Sequence, residues 1–175
     1  MDSNIILIGF MGTGKTAIGT RLADRLKREF VDTDKEIERV TGMSVRDIFL
    51  KYGEVRFRSE ESVMTRKLSE RRNMVVATGG GIVLNRENVE QFRKKGIIIC
   101  LRANPDEIFR RVSKKRNQRP LLKKNFTVED IKKMLADREN FYGQADIEIE
   151  TSGLDPDQLV DIIMEKLQEF HSAKR

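Results

Sequence analysis

The amino-acid sequence predicts an α/β protein in which helices cover both faces of a parallel sheet of five strands. The first reason is that apolar runs of strand length alternate with helical patterns along all 175 residues, with no internal repeat and no linker. The second is that three of these runs end in glycine-rich or acidic segments, as expected at the carboxyl edge of a parallel sheet, where such proteins bind ligands. We therefore expect a single domain over residues 1–175, which would bury roughly 70 % of its unfolded surface.

The first predicted strand leads into the most specific motif of the chain. The run IILIGF at 5–10 is predicted as a buried strand, and GFMGTGKT at 9–16 has two glycines five residues apart, followed by Lys15 and Thr16. This is the P-loop pattern: glycines let successive N–H groups point at phosphate oxygens, the lysine adds positive charge, and the hydroxyl reaches Mg²⁺. TAIGTRLADRLK at 16–27 is predicted as the next helix, whose dipole favours an anion at its N-terminus. We therefore predict that the nucleotide is bound by Gly12, Thr13, Gly14, Lys15, Thr16 and Ala17. The alternative is an ordinary glycine-rich turn.

Two acidic residues close the second predicted strand, EFVDTD at 29–34. Asp32 and Asp34 lie where the strand ends, so one can hold a metal-bound water near Thr16 while the other faces the group that accepts a phosphoryl. Thr16 with Asp32 is our candidate Mg²⁺ pair. The alternative is that Thr33 or Asp34 only caps the following helix.

The third strand, MVVATGGG at 74–81, ends in a triple-glycine turn. Gly79, Gly80 and Gly81 can form a loose turn, but glycines at a strand's carboxyl edge also leave room for a ring to rest on bare backbone amides. Because the carboxyl ends of parallel strands meet at one edge, the P-loop, the acidic segment and this turn are expected to line one crevice.

The remaining elements follow from their start and stop signals. Gly42 suits a helix C-terminus, Pro105 opens a helix, and Thr127 with Asp130 forms a capping pair. Strands are predicted at 96–103 and 145–153, and helices at 35–42, 44–53, 54–72, 86–96, 105–115, 127–145 and 155–170.

Composition limits the classes of function. The net charge is +6, but it is local: residues 110–124 hold eight basic and no acidic residues, whereas residues 145–165 hold seven acidic and no basic ones. The basic stretch has no interleaved aromatics and matches no nucleic-acid module, so it is read as an anion-binding lid or a solvated helix end rather than a nucleic-acid site. Cys100, inside GIIICL, is expected to be a buried, inert thiol, and one cysteine with one histidine gives too few ligands for a His/Cys zinc site. Without a signal peptide or membrane-length apolar run, a cytoplasmic protein with no membrane partner is expected.

Taken together, the motifs resemble the shikimate kinase family over nearly the whole chain. The motifs are GFMGTGKT, FVDTD, GMSVRDIFLKYGEVRFRSEE, ATGGGIV, RPLL and RENFYGQA, in the family's order and near its spacing. The resemblance implies the strand order 2-3-1-4-5 and transfer of the ATP γ-phosphoryl to the 3-hydroxyl of shikimate. It also implies acceptor-binding helices at about 33–61 and a lid at about 114–125.

The same resemblance implies individual roles. Asp34 would contact the ring hydroxyls and take the proton, Arg58 and Arg138 would hold the carboxylate, and Gly79 to Gly81 would line the ring. Catalysis would involve Asp34 together with Lys15 and Arg119, both of which would stabilise the transferring phosphoryl. Arg111 and Pro156 would contact adenine.

Two other functions remain open at this point. One is another small-metabolite kinase of the same branch, such as gluconate kinase, which would share the P-loop and lid but not DTD with GGG. The other is a nucleotide-dependent switch or nucleic-acid-binding ATPase, which would transfer the phosphate to water. We expect a monomer that binds ATP, Mg²⁺ and shikimate.

Overall fold

The computed structural model describes residues 3–114 and 126–173, and its strands form one sheet. The strands are β1 (Asn4–Ile8), β2 (Glu29–Asp32), β3 (Met74–Ala77), β4 (Gly96–Arg102) and β5 (Ile147–Glu150). Their order is β2-β3-β1-β4-β5, and every neighbouring pair is parallel. The predicted fold class and strand order are confirmed.

Helices cover both faces of this sheet. They are α1 (Lys15–Leu26), α2 (Thr33–Thr41), α3 (Val45–Glu70), α4 (Arg86–Arg93), α5 (Pro105–Ser113), α6 (Val128–Tyr142) and α7 (Pro156–Ala173), with a 3-10 turn at Ile82–Leu84. Side chains alternate across β1: Ile5 and Leu7 pack with α1 and α7 on one face, whereas Ile6 and Ile8 belong to the core under α3, α4, α5 and α6 on the other. In the described part of the chain, no helix has the length and apolarity needed to cross a membrane.

Strand register brings the carboxyl ends of β1, β2 and β3 level. Ala77 pairs with Asp32 on one side and with Leu7 on the other, so the segments that follow these strands leave the sheet side by side. This register places the P-loop, the end of β2 and the glycine triplet at one edge, because parallel strands share their direction.

Several predicted boundaries differ from those of the structure. The helix expected from residue 35 begins at Thr33, because the Asp32 carboxylate caps it by accepting from the N–H groups of Asp34 and Lys35; the proposed caps Thr33 and Asp34 are therefore wrong. The two helices expected at 44–53 and 54–72 are both present within α3, because the backbone leaves helical geometry at Gly53, where φ is 79°, and the two halves meet there at a kink. The last strand is shorter than predicted and α7 extends three residues further, to Ala173.

Cys100 lies in β4 and is buried, as predicted. Burial raises the pKa of its thiol to about 12, so the thiolate that reacts with oxidants or metals is scarce at neutral pH.

Candidate active site

The loop between β1 and α1 follows a path that requires glycine at specific points. Gly9 and Gly12 have φ of 143° and 81°, in the region that L side chains rarely adopt. A Cβ at Gly12 would lie 2.8 Å from Val112 Cγ2, and one at Gly9 would overlap the Leu101 carbonyl oxygen. The loop is thus packed closely onto β4 and α5, and α1 begins after Gly14 without a side-chain cap.

Lys15 is buried beneath this loop. Its Nζ donates to the Gly9 carbonyl at 2.7 Å and to the Phe10 carbonyl at 2.9 Å. These bonds hold the ammonium across the loop, where its charge can act on an anion bound by the loop amides.

Thr16 and Asp32 connect the first two strand ends. The Thr16 hydroxyl donates to Asp32 Oδ2 at 2.9 Å, while Asp32 Oδ1 accepts from the Asp34 N–H at 3.1 Å. One hydroxyl and one carboxylate therefore lie together beside the P-loop. Mg²⁺ commonly uses one or two protein ligands and completes its octahedron with water and phosphate oxygens, so this pair fits it. Among residues 3–114 and 126–173, no cluster of three or more His, Cys, Asp or Glu side chains offers another metal site.

A cavity of about 380 Å³ opens between these elements. This volume is in the range of small-ligand pockets, roughly 300 to 1,000 Å³. The lining comes from the P-loop, the ends of β2 and β3, and α5: Met11, Gly12, Gly14, Lys15, Thr16, Ala17, Asp32, Asp34, Thr78, Gly79, Gly80, Arg111 and Lys114. Basic groups from the P-loop and from the end of α5, and two carboxylates from the end of β2 and the start of α2, thus line the same cavity.

Arg58 is held by two carboxylates from its own helix. Its Nη1 donates to Glu61 Oε2 at 2.6 Å and its Nη2 to Glu54 Oε1 at 2.9 Å. The partners differ in environment, because the Glu61 side chain is 1 % exposed and that of Glu54 is 50 % exposed. Desolvation raises the pKa of Glu61 to about 7, although the Arg58 charge acts in the opposite direction.

The glycine triplet lies against these charged groups. A Cβ at Gly79 would come within 2.7 Å of Asp34 Oδ1 and 2.8 Å of Glu61 Oε1, and one at Gly81 would meet the Arg58 guanidinium at 2.5 Å. The Gly79 N–H also donates to the Thr33 hydroxyl at 2.9 Å, so Thr33 anchors the triplet instead of capping α2. Only residues without a side chain leave this surface open beside Asp34 and Arg58.

Arg138 reaches the same turn from α6. Its Nη1 donates to the Gly80 carbonyl at 3.3 Å, and its guanidinium lies 5.3 Å from the centre of the Phe10 ring. Tyr142, one helical turn further, donates its hydroxyl to the same carbonyl at 3.0 Å. The second predicted arginine therefore also borders the triplet.

The other predicted nucleotide residues have different positions. Arg111 lines the cavity and donates from Nη1 to the Gly12 carbonyl at 3.1 Å, while its other end pairs with Glu107. Pro156 begins α7 and is not among the residues that line the cavity. Arg119 and the predicted lid beyond Lys114 lie outside the described residues.

Three residues beside the site were not found from the sequence: Thr33, Glu61 and Tyr142. The burial of Glu61 depends on packing that no local pattern specifies. The i, i+3 spacing of Arg58 and Glu61, and the i, i+4 spacing of Arg138 and Tyr142, were the available signals, since such pairs share a helix face.

The P-loop and the parallel sheet of order 2-3-1-4-5 define an ATP-dependent P-loop kinase, and the arginines and carboxylates around the glycine triplet suit a small polar molecule. The chain belongs to the shikimate kinase family: the family model described as "Shikimate kinase" matches residues 11–168. The function predicted from the sequence is therefore confirmed at the level of the family.

Individual relatives agree with this assignment. A shikimate kinase of Pelotomaculum thermopropionicum is 52 % identical over 96 % of this chain and 97 % of its own length. The structure of a shikimate kinase from Acinetobacter baumannii in complex with shikimate is similar with a TM-score of 0.91, at 36 % identity over 95 % of this chain and 93 % of that one. A gluconokinase from Sinorhizobium meliloti has a TM-score of 0.57 at 14 % identity, covering 91 % of this chain and 87 % of that one, so it shares the fold alone.

Proposed function

We propose that this protein transfers the γ-phosphoryl group of ATP to the 3-hydroxyl of shikimate, giving shikimate 3-phosphate and ADP. The observation that carries the proposal is the glycine triplet beside the P-loop cavity, bordered by Asp34, Arg58 and Arg138. Shikimate is a small carboxylate with three hydroxyls. Arginines match the fork of a carboxylate, and a carboxylate with backbone amides matches hydroxyls.

On the nucleotide side, Gly12 to Ala17 would hold the phosphates through backbone N–H groups, and the Lys15 ammonium would add positive charge beside them. Thr16 and Asp32 would hold Mg²⁺, since the Thr16 hydroxyl and Asp32 Oδ2 already lie 2.9 Å apart beside the loop. When bound, Mg²⁺ neutralises negative charge on the phosphates. Arg111 and Pro156 are the proposed adenine contacts.

On the acceptor side, the two partners of Arg58 suggest how it binds a carboxylate. Glu61 is buried and would keep one edge of the guanidinium fixed throughout. Glu54 is half exposed and can be replaced by the substrate carboxylate, because a solvated ion pair is held by only about 0–1 kcal/mol. Arg138 would complete the clamp from α6.

Asp34 would orient the 3-hydroxyl and accept its proton as the oxygen attacks the γ-phosphorus. Lys15 would stabilise the charge that spreads over the transferring group. Arg119 would do the same from the lid at about 114–125, which we propose closes over the nucleotide and excludes water. We further propose that residues 1–175 act as one kinase domain and as a cytoplasmic monomer, without a nucleic-acid partner.

Turnover of ATP measured with and without shikimate tests this function. A kinase should be stimulated strongly by shikimate and weakly by gluconate, and phosphorus NMR should show the product phosphate on the 3-hydroxyl. A switch ATPase would hydrolyse ATP at the same rate in every case. Equal stimulation by gluconate would instead indicate a different small-metabolite kinase.

A further inference from the structure

The carbonyl oxygen of Gly80 receives two side-chain donors from the last turn of α6. Tyr142 Oη donates at 3.0 Å and Arg138 Nη1 at 3.3 Å, so the tyrosine makes the shorter bond. Tyr142 is 2 % exposed, which means that water does not compete for its hydroxyl. The proposed function uses Arg138 but gives Tyr142 no role.

The hydroxyl of Tyr142 is a donor across the neutral range. Burial raises its pKa to about 12, although the charge of the neighbouring Arg138 and a hydrogen bond with that side chain act in the opposite direction. A phenol that keeps its proton can donate to a carbonyl at every pH at which a kinase would be assayed.

Gly80 itself is fixed between the P-loop and α6. A Cβ on this residue would lie 3.1 Å from the Met11 backbone nitrogen, so the main chain of the triplet packs directly on the P-loop. Gly80 is half-buried, so the loss of a donor to its carbonyl costs about the free energy of one hydrogen bond.

We propose that Tyr142 is a positioning residue whose hydroxyl keeps the Gly80 carbonyl bonded, so that Arg138 can leave this carbonyl for the carboxylate of the acceptor. The inference rests on the proposed function, in which Arg138 binds that carboxylate. Without the hydroxyl, Arg138 is the side-chain donor to Gly80 that remains among the residues the structure describes, and each binding event must break that bond. Tyr142 thus lowers the free energy needed to release the arginine.

The test is Tyr142→Phe, which keeps the ring and leaves the Gly80 carbonyl bonded to Arg138 in the free protein. The KM for shikimate should rise roughly threefold to tenfold, the effect of one hydrogen bond, while kcat changes less than about twofold and the Kd for ADP stays constant. The Kd for shikimate by calorimetry should follow KM, and thermal unfolding checks the fold. Tyr52→Phe is the matched control, because Tyr52 is exposed on α3 and its hydroxyl should have no influence.

The Arg138→Ala background separates the inference from the proposed function. There, Tyr142→Phe should change the KM for shikimate by less than about twofold, because no guanidinium remains to be released. An unchanged KM in Tyr142→Phe, an equal rise with and without Arg138, or a parallel loss of ADP affinity would overturn the positioning role. An unchanged KM in Arg138→Ala itself would instead refute the carboxylate clamp of the proposed function.

Discussion

Replacing Arg58 by alanine is the most direct test of the acceptor clamp. In the structure the Arg58 guanidinium borders Gly81 and is held between buried Glu61 and half-exposed Glu54. If a substrate carboxylate takes the place of Glu54, the variant loses charge-assisted hydrogen bonds worth roughly 1.5 to 3 kcal/mol. The KM for shikimate should then rise on the order of tenfold to a hundredfold, while the Kd for ADP remains unchanged.

The same substitution removes the cation beside Glu61, which sets the effect on stability. An ionised carboxylate left alone in the interior typically destabilises a protein by about 3–5 kcal/mol. Glu61 already has a pKa of about 7, so at neutral pH it can take up a proton instead of remaining charged. We therefore expect Arg58→Ala to lose less stability than that range. The double variant Arg58→Ala/Glu61→Gln should have the same KM for shikimate as Arg58→Ala, and its stability should not depend on the protonation of residue 61.

The assay is a coupled measurement of ADP formation at saturating ATP, with shikimate and its carboxamide as acceptors. Wild type should lose most of its activity on the amide, and Arg58→Ala should lose little further. Arg56→Ala is the matched control, because Arg56 forms a similar ion pair with Glu60 on the same helix but lies exposed. If wild type phosphorylates acid and amide equally well, the clamp does not exist and the acceptor is another polyol.

Three further changes have distinct expected outcomes. Lys15→Ala should reduce kcat by two or more orders of magnitude, because it removes charge from the developing transition state; an unchanged rate would contradict the P-loop role. Asp34→Asn should lower kcat by around 10², since the amide keeps the shape but cannot accept the proton, and a larger effect on KM than on kcat would indicate binding alone. Glu61→Gln should flatten the pH dependence of the free energy of unfolding. The pKa of Glu61 is about 7 in the folded protein and about 4.5 in the unfolded chain, so the folded state binds this proton more tightly. Wild-type stability therefore falls as the pH rises from 4.5 to 7, by up to about 3 kcal/mol. Parallel curves of Tm against pH for the two proteins would disprove the raised pKa.

The core of the site could be predicted because its residues are neighbours in sequence. Gly9 to Thr16 form a loop whose function depends on local backbone conformation, and the structure has the positive φ angles that this motif requires. The alternation of apolar runs and helices likewise determined the fold class, since each run must be covered on both faces. These features need no knowledge of distant contacts.

The details around the acceptor depended on tertiary packing. Asp32 rather than Thr33 caps α2, because the Thr33 hydroxyl accepts from the Gly79 N–H in the turn after β3. Nothing in the sequence distinguished Glu61 from half-exposed Glu54 until the packing of α3 removed Glu61 from water. Its raised pKa comes from that desolvation, which is a property of the assembled interior.

The sequence by itself therefore determined the class of fold, the phosphate-binding loop and the family to which the chain belongs, because these reside in local patterns and their order. Only the tertiary structure decided which carboxylate holds Arg58 and which hydroxyls fix the glycine triplet. Gly79 bonds to the hydroxyl of Thr33, 46 residues away in sequence, and Gly80 bonds to the hydroxyl of Tyr142, 62 residues away. These hydrogen bonds form only when β3, α2 and α6 pack together. Hydrogen bonds of this range depend on distances in space, which spacing along the chain does not encode.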